Sequence, residues 1–227
     1  MTPAEFEALR LSLAIASLSV ALGLPFAIAI AWLLVRRRFP GRSLLDALVH
    51  APMVLPPVAV GYLLLLIFGS RGPVGSWLLR SFGLRLPFTL QGAVLATAAM
   101  TFPLIVRAVR LALESADAGL EDAARTLGAG AVDRFLSITL PLLAPGILAG
   151  ALTAFAAGLG EFGAVITFAS NIPGETRTLP LALYTAIESP GGEAAAARLA
   201  ALSFGLGFAG LLGAELISAR LRARLGR

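Results

Sequence analysis

Few side chains in this sequence could carry out acid–base or nucleophilic chemistry. The chain has no cysteine, one histidine (His50), and arginine at all 18 basic positions. A hydrolase needs a nucleophile with a base, or paired carboxylates, and Glu161 is the one carboxylate in the middle of a long apolar run. A phosphate-binding loop of the P-loop type needs a lysine after its glycines. An enzyme of either kind is therefore disfavoured, and His50 is better explained as an interfacial residue.

Glu161 lies in the sequence Gly158–Ala164, which reads GLGEFGA. A carboxylate left in lipid costs several kcal/mol, so such a residue is a functional candidate. It could carry protons, pair with an arginine or amide, or belong to a gate. If the chain enclosed a pathway for anions, a carboxylate facing that pathway would repel them, which favours a structural or gating role. We therefore expect Glu161→Gln to retain much of the function.

The second unusual feature is a long polar interruption, Glu114–Pro141. Within it, Leu120–Leu127 has the spacing of a short helix with a face of small side chains, and Gly128 or Gly130 can end that helix in the left-handed conformation. Such a helix could enter a groove of a partner protein. A solvated amphipathic connector is the alternative.

The elements around these residues are apolar enough to cross a membrane. The chain is 58% hydrophobic and 14% charged, with a mean hydropathy of +0.88, whereas soluble domains average about 45–50% apolar and about 25% charged residues. A span needs about 20 apolar residues. We predict one all-α polytopic domain, residues 1–227, embedded in a lipid bilayer, with spans at about 11–35, 49–68, 89–106, 142–169 and 199–217.

The arginines predict the orientation. If the five spans alternate, twelve arginines lie on one side and six on the other, and cytoplasmic loops carry the excess of positive charge. The N-terminus is then outside and the C-terminus cytoplasmic, and Glu114–Pro141 is cytoplasmic. The net charge of +5 is thus a topology signal, and no nucleic-acid partner is expected.

Proline interrupts the second span. Pro52, Pro56 and Pro57 remove amide donors and clash with carbonyls one turn earlier. Either a tolerated kink or a bent helix lining a cavity follows from this pattern. In the outer loops, a short interfacial helix is predicted around Trp77 and a partly inserted helix at 179–187.

The polar interruption resembles the signature loop of importer-type ABC transporter permeases. That signature is E-A-A, three residues, G, nine residues, I, one residue, L-P. Here it reads Glu121-Asp122-Ala123-Ala124, then Gly128, then Ile138-Thr139-Leu140-Pro141, with Asp122 as the departure from the signature. Blocks at 39–42, 55–62, 159–164 and 170–178 resemble molybdate permeases in particular.

The resemblance implies a type I importer fold and several partners. Two permease copies would surround a central pathway, a cytoplasmic ABC ATPase dimer would bind ATP and Mg, and an extracytoplasmic molybdate-binding protein would deliver the cargo. No cofactor or metal is expected in this chain. The residues expected to couple to the ATPase are Glu121, Asp122, Ala123, Ala124, Arg125, Leu127 and Gly128, and contacts with the binding protein would include Arg71 and Arg177.

A tetrahedral oxyanion needs hydrogen-bond donors along its pathway. The pathway or gate candidates are Pro56, Pro57, Glu161, Thr153, Thr167, Ser170 and Asn171, although hydroxyls in apolar helices often bond to their own backbone. Tungstate, sulfate or thiosulfate are alternative cargoes. A proton-coupled secondary transporter would instead use Glu161 and should show inverted repeats, of which the sequence has no clear sign.

Overall fold

The computed structural model describes residues 1–115 and 118–224, without the side chains of residues 118, 121, 122, 214, 218 and 220–224. Every regular element in these ranges is helical. The helices are α1 (Pro3–Arg36), α2 (Arg42–His50), α3 (Pro57–Phe68), α4 (Pro73–Phe82), α5 (Leu90–Ser115), α6 (Ala118–Thr126), α7 (Ala131–Arg134), α8 (Leu140–Leu159), α9 (Gly163–Ala169), α10 (Leu179–Glu188) and α11 (Glu193–Arg224).

Four of these stretches are long and apolar enough to cross a membrane: α1, α5, residues 131–159 and most of α11. A bent pair, Arg42–Met53 and Pro57–Phe68, brings the number to five if it counts as one span. At 34 residues and about 1.5 Å per residue, α1 is longer than the hydrocarbon core. It begins in a capping box between Thr2 and Glu5.

The core of the bundle is formed by α1, α5 and α8, which pack on one another. Glycines bring α8 close to its neighbours: a Cβ at Gly150 would stand 2.8 Å from that of Ala108, and one at Gly158 would meet Thr97 at 3.0 Å. Small residues at helix contacts are typical of membrane bundles. Between α1 and α5, the Ser19 hydroxyl donates to the carbonyls of Ile15 and Val94, at 2.7 and 2.8 Å.

Two of the predicted spans are not continuous helices. In the second, α2 is followed by a 3₁₀ turn at Ala51–Met53 and then by α3, with a bend of 119° between the two parts. The prolines explain the break, because Pro56 and Pro57 supply no amide donors to continue the helix. In the fourth, the chain leaves helical geometry between Leu159 and Gly163, so the single helix that 142–169 implied is wrong there.

Contacts between distant residues group the helix ends into two sets. At one end, Glu5 near the start of α1 pairs with Arg198 near the start of α11 at 3.0 Å, and the Ser12 hydroxyl accepts a hydrogen bond from Leu179 N–H at 2.7 Å. At the other end, Asp46 of α2 pairs with α5. This separation matches the predicted alternation of spans and puts α6 and α7 at the end opposite α4 and α10.

Candidate coupling loop and pathway junction

The helix α6 ends in a hydrogen-bonded cap built on Gly128. Gly128 has φ +85°, and its N–H bonds to the carbonyl of Arg125 at 3.1 Å, while the N–H of Ala129 bonds to that of Ala124 at 3.0 Å. This pair of bonds is the Schellman arrangement, in which the left-handed residue is usually glycine. Of the two glycines considered from the sequence, Gly128 is therefore the one that ends the helix.

The surface of this loop carries apolar side chains that nothing in the described chain covers. Leu127 is 88% exposed, and Leu120, Val132 and Leu136 are exposed as well. Ala123 and Arg125 are exposed and Ala124 is half-buried. The backbone of Glu121 and Asp122 lies in α6, but their side chains lie outside the described part, so their predicted roles are untested.

The chain beyond Gly128 forms a compact connection to the next span. Arg134 donates from Nη1 to the carbonyl of Ala129, and α7 continues through a π-helical turn at Phe135–Thr139 into α8. Residues 131–159 therefore form one continuous helical stretch, which joins the loop to α8.

The junction of α3 and α9 gathers several of the predicted pathway residues. A Cβ at Gly163 would stand 2.7 Å from the Cβ of Pro57, and one at Gly61 would stand 2.7 Å from that of Thr167. The backbones of the two helices are therefore almost in contact. Pro56 is the N-cap of α3 and Pro57 its first residue, and both are exposed in the isolated chain.

Glu161 lies in the break between α8 and α9. Its Oε1 accepts a hydrogen bond from the N–H of Ala164 at 2.9 Å, which supplies one of the acceptors that the first turn of a helix lacks. The carboxylate is thus bound to the backbone that it caps. This hydrogen bond stabilises the first turn of α9, which begins at Gly163.

The polar candidates do not form one cluster. The Thr167 hydroxyl donates to the carbonyl of Gly163 at 2.8 Å, within its own helix, as such hydroxyls commonly do. Thr153 is exposed on α8. Ser170 has φ +66° and ψ −162°, a conformation that residues other than glycine rarely adopt. Its carbonyl accepts from the Thr176 hydroxyl at 3.2 Å.

Asn171 organises the loop between α9 and α10. Its Nδ2 donates to the Thr185 hydroxyl at 2.8 Å, and its Oδ1 accepts from Arg177 Nε at 2.8 Å. Arg177 is therefore held in place, while Arg71, the other predicted docking residue, is exposed on a separate loop. Nearby on α10, a hydrogen bond to the Glu188 carboxylate raises the pKa of Tyr184.

A polar cluster between α2 and α5 was missed by the sequence reasoning. Arg110 donates to Asp46 Oδ2 and to Glu114 Oε1, both at 2.9 Å, and His50 Nδ1 lies 3.1 Å from Asp46 Oδ1. These groups line a cavity of about 420 Å³ together with Arg107. The sequence contains only a weak sign of this cluster. At the ends of two predicted spans, groups of opposite charge lie four residues apart along the chain.

Residues 23–223 match the model of the family described as binding-protein-dependent transport system inner membrane component. The chain belongs to this family. Among curated relatives it is 56% identical over 227 residues to the molybdenum transport system permease protein ModB of Escherichia coli K12, which covers 100% of this chain and 99% of the relative. It is 51% identical to that of Haemophilus influenzae, over 98% and 97% of the two chains.

Other members of the family are more distant. A sulfate transport system permease protein, CysW of Synechocystis, is 38% identical over 77% of this chain and 63% of that protein. Among solved structures, a bacterial ABC transporter that imports alginate matches 97% of this chain and 80% of its own at a TM-score of 0.75 and 18% identity. The same type of transporter bound to a periplasmic protein matches at 0.72 and 18% identity, over 99% and 80% of the chains. The predicted fold of an ABC importer permease is thereby confirmed.

Proposed function

We propose that this chain is the membrane-spanning permease subunit of an ATP-driven importer that carries molybdate across the cytoplasmic membrane of a bacterium. The observation that carries the proposal is the 56% identity over the whole chain to a molybdenum permease. It covers the bent α2–α3 segment, the α8–α9 break and both outer loops, so every part that would meet cargo or partner is included.

Two copies of the chain would enclose the pathway, and a cytoplasmic ABC ATPase dimer, with ATP and Mg, would drive it. The exposed apolar residues around α6 support an ATPase contact, because covering side chains such as Leu127 with a partner removes apolar surface from water and stabilises the complex. The family name includes a binding protein, and the ordered loop around Asn171 and Arg177 is the surface that we assign to it.

The mechanism follows from the continuity of the helices. A partner that pulls on α6 moves α7 and α8 together, since 131–159 are one helical stretch, and α8 leads to the break at Glu161. There α9 is in backbone contact with α3. Movement of the loop would thus reach the proline-rich bend, which we propose as part of the gate.

Sulfate is the second candidate cargo. Sulfate permeases are 38–39% identical to this chain over 72–77% of its length. Sulfate, like molybdate, is a tetrahedral dianion. Tungstate has the same charge and shape as molybdate, so the discrimination between these two would rest with the binding protein.

Reconstitution into proteoliposomes tests the proposal. The permease is combined with an ABC ATPase and a molybdate-binding protein from the same genome, and uptake of radiolabelled molybdate is followed with ATP enclosed in the vesicle lumen or omitted. We expect uptake that requires ATP, the ATPase and the binding protein, and that excess sulfate does not suppress. Uptake without ATPase, or driven by a proton gradient alone, would contradict the proposal.

A further inference from the structure

The helix α2 is held to the bundle by very little apolar contact. None of its nine residues is buried, and Leu44 and Leu48 are largely exposed. Leu45 and Val49 pack at the edge of the cluster that α1 and α5 form around Leu34 and Val109. A helix packed so lightly needs another contact to define its position.

Asp46 and Arg110 provide that contact. Their side chains meet at 2.9 Å although the residues are 64 positions apart. The guanidinium also binds Glu114 of α5 and is therefore oriented by two carboxylates, while His50 of α2 lies 3.1 Å from the second oxygen of Asp46. A charged pair with two donors of the guanidinium engaged has a defined geometry, which a single exposed pair lacks.

The pair joins the two functional parts of the chain. Arg110 lies near the end of α5, where Ser115 is separated by only two residues from α6. Asp46 lies one turn before the end of α2, which leads through the 3₁₀ turn and the 119° bend to α3. The first residue of α3, Pro57, is the one that contacts Gly163.

We infer that the Asp46–Arg110 pair is a mechanical link that makes α2 follow α5, so that movement of the ATPase-binding loop reaches the proline bend from this side as well as through α8. Both are positioning residues, and the inference rests on the proposed function. The ion pair remains formed during transport, so that a displacement of α5 is passed to α2, with which it shares little other contact.

The test uses the complete transporter in proteoliposomes and measures molybdate taken up per ATP hydrolysed. Asp46→Ala and Arg110→Gln are expected to lower that ratio at least fivefold while ATP hydrolysis and assembly with the ATPase persist. Arg107→Gln is the matched control: it removes a guanidinium from the same cavity and helix, and Arg107 is in no ion pair with the described residues. The ratio of uptake to ATP hydrolysis in this variant should stay within twofold of that of the parent chain.

Replacing the ion pair by a covalent cross-link distinguishes a mechanical link from a pair that only stabilises the fold. The chain has no cysteine, so the double variant Asp46→Cys, Arg110→Cys has thiols at these two positions alone. The thiols of the partner subunits are blocked beforehand, and a short bifunctional thiosulfonate then cross-links positions 46 and 110. Without the cross-link, the double variant should take up little molybdate per ATP hydrolysed. Cross-linking should restore most of that ratio, and reduction of the cross-link should lower it again. A cross-linked protein that stays uncoupled, or an Asp46→Ala variant with the parent ratio of uptake to ATP hydrolysis, overturns the inference. Failure of the parent chain itself to import molybdate with ATP would instead overturn the proposed function, and with it this inference.

Discussion

Gly163 of α9 lies against Pro57 of α3 so closely that a Cβ on the glycine would stand 2.7 Å from that of the proline. Real Cβ contacts are not that short, and the proline ring has no rotamer through which to withdraw. The junction between the bent second span and the broken fourth span therefore has no side-chain layer between its backbones. The two helices are expected to move as one body.

Gly61→Ala should weaken this junction. The new Cβ would meet Thr167 Cβ at 2.7 Å and the carbonyl oxygen of Ala164 at 2.8 Å, and a backbone oxygen cannot turn away. Overpacking of this kind costs about 1–3 kcal/mol, which thermal unfolding of the detergent-purified protein should report as a lower midpoint. Gly207→Ala on α11, where nothing lies within 4 Å, is the control and should be neutral or stabilising. Equal midpoints for the parent and Gly61→Ala would refute the close contact.

Gly128→Ala should disturb the end of α6. The position is open in space but has φ +85°, and an alanine held there is strained by about 1 kcal/mol. We expect weaker coupling of ATP hydrolysis to uptake. Gly130→Ala is the matched control, since Gly130 is equally open but has φ −64°, which alanine adopts freely. If the two substitutions had the same effect, the left-handed cap would not be the reason for the glycine.

Leu127→Ser should weaken binding of the ATPase without lowering the stability of the permease alone. The side chain is 88% exposed, so the fold gains little from it, whereas its burial against a partner contributes about 1.5–3 kcal/mol. At 1.4 kcal/mol per tenfold change, the dissociation constant measured by interferometry in detergent should rise about tenfold or more. Leu84→Ser, also at an exposed leucine but near α4 at the opposite end, should leave that constant unchanged.

Glu161→Gln should retain most uptake, and Glu161→Ala should lose more. Glutamine keeps a side-chain oxygen that can accept the hydrogen bond from Ala164 N–H, whereas alanine removes this acceptor from the first turn of α9, and the loss of one such hydrogen bond costs about 1 kcal/mol. Uptake rates in proteoliposomes, normalised to inserted protein, measure both. Complete inactivity of Glu161→Gln with normal assembly would point to proton transfer at this carboxylate, as in a secondary transporter.

The sequence was sufficient to predict those features of the fold that depend on a short segment of the chain alone. The apolar runs correspond to α1, α5 and α11, and Pro56 and Pro57 marked the position of the bend. Gly128 was one of two glycines expected to end α6. The break at Glu161 was not predicted, because the residues around it are as apolar as those of a continuous span, and the hydrogen bond that Glu161 accepts from the next helix depends on how the chain folds there.

Membrane embedding, helical class and the signature loop of the family were thus determined by the sequence itself, through side-chain hydrophobicity and the backbone preferences of glycine and proline. Only the tertiary structure decided which distant residues meet: Pro57 with Gly163 and Asp46 with Arg110. Such pairs depend on how helices that are far apart in the chain pack together, and no local pattern of residue types specifies that packing.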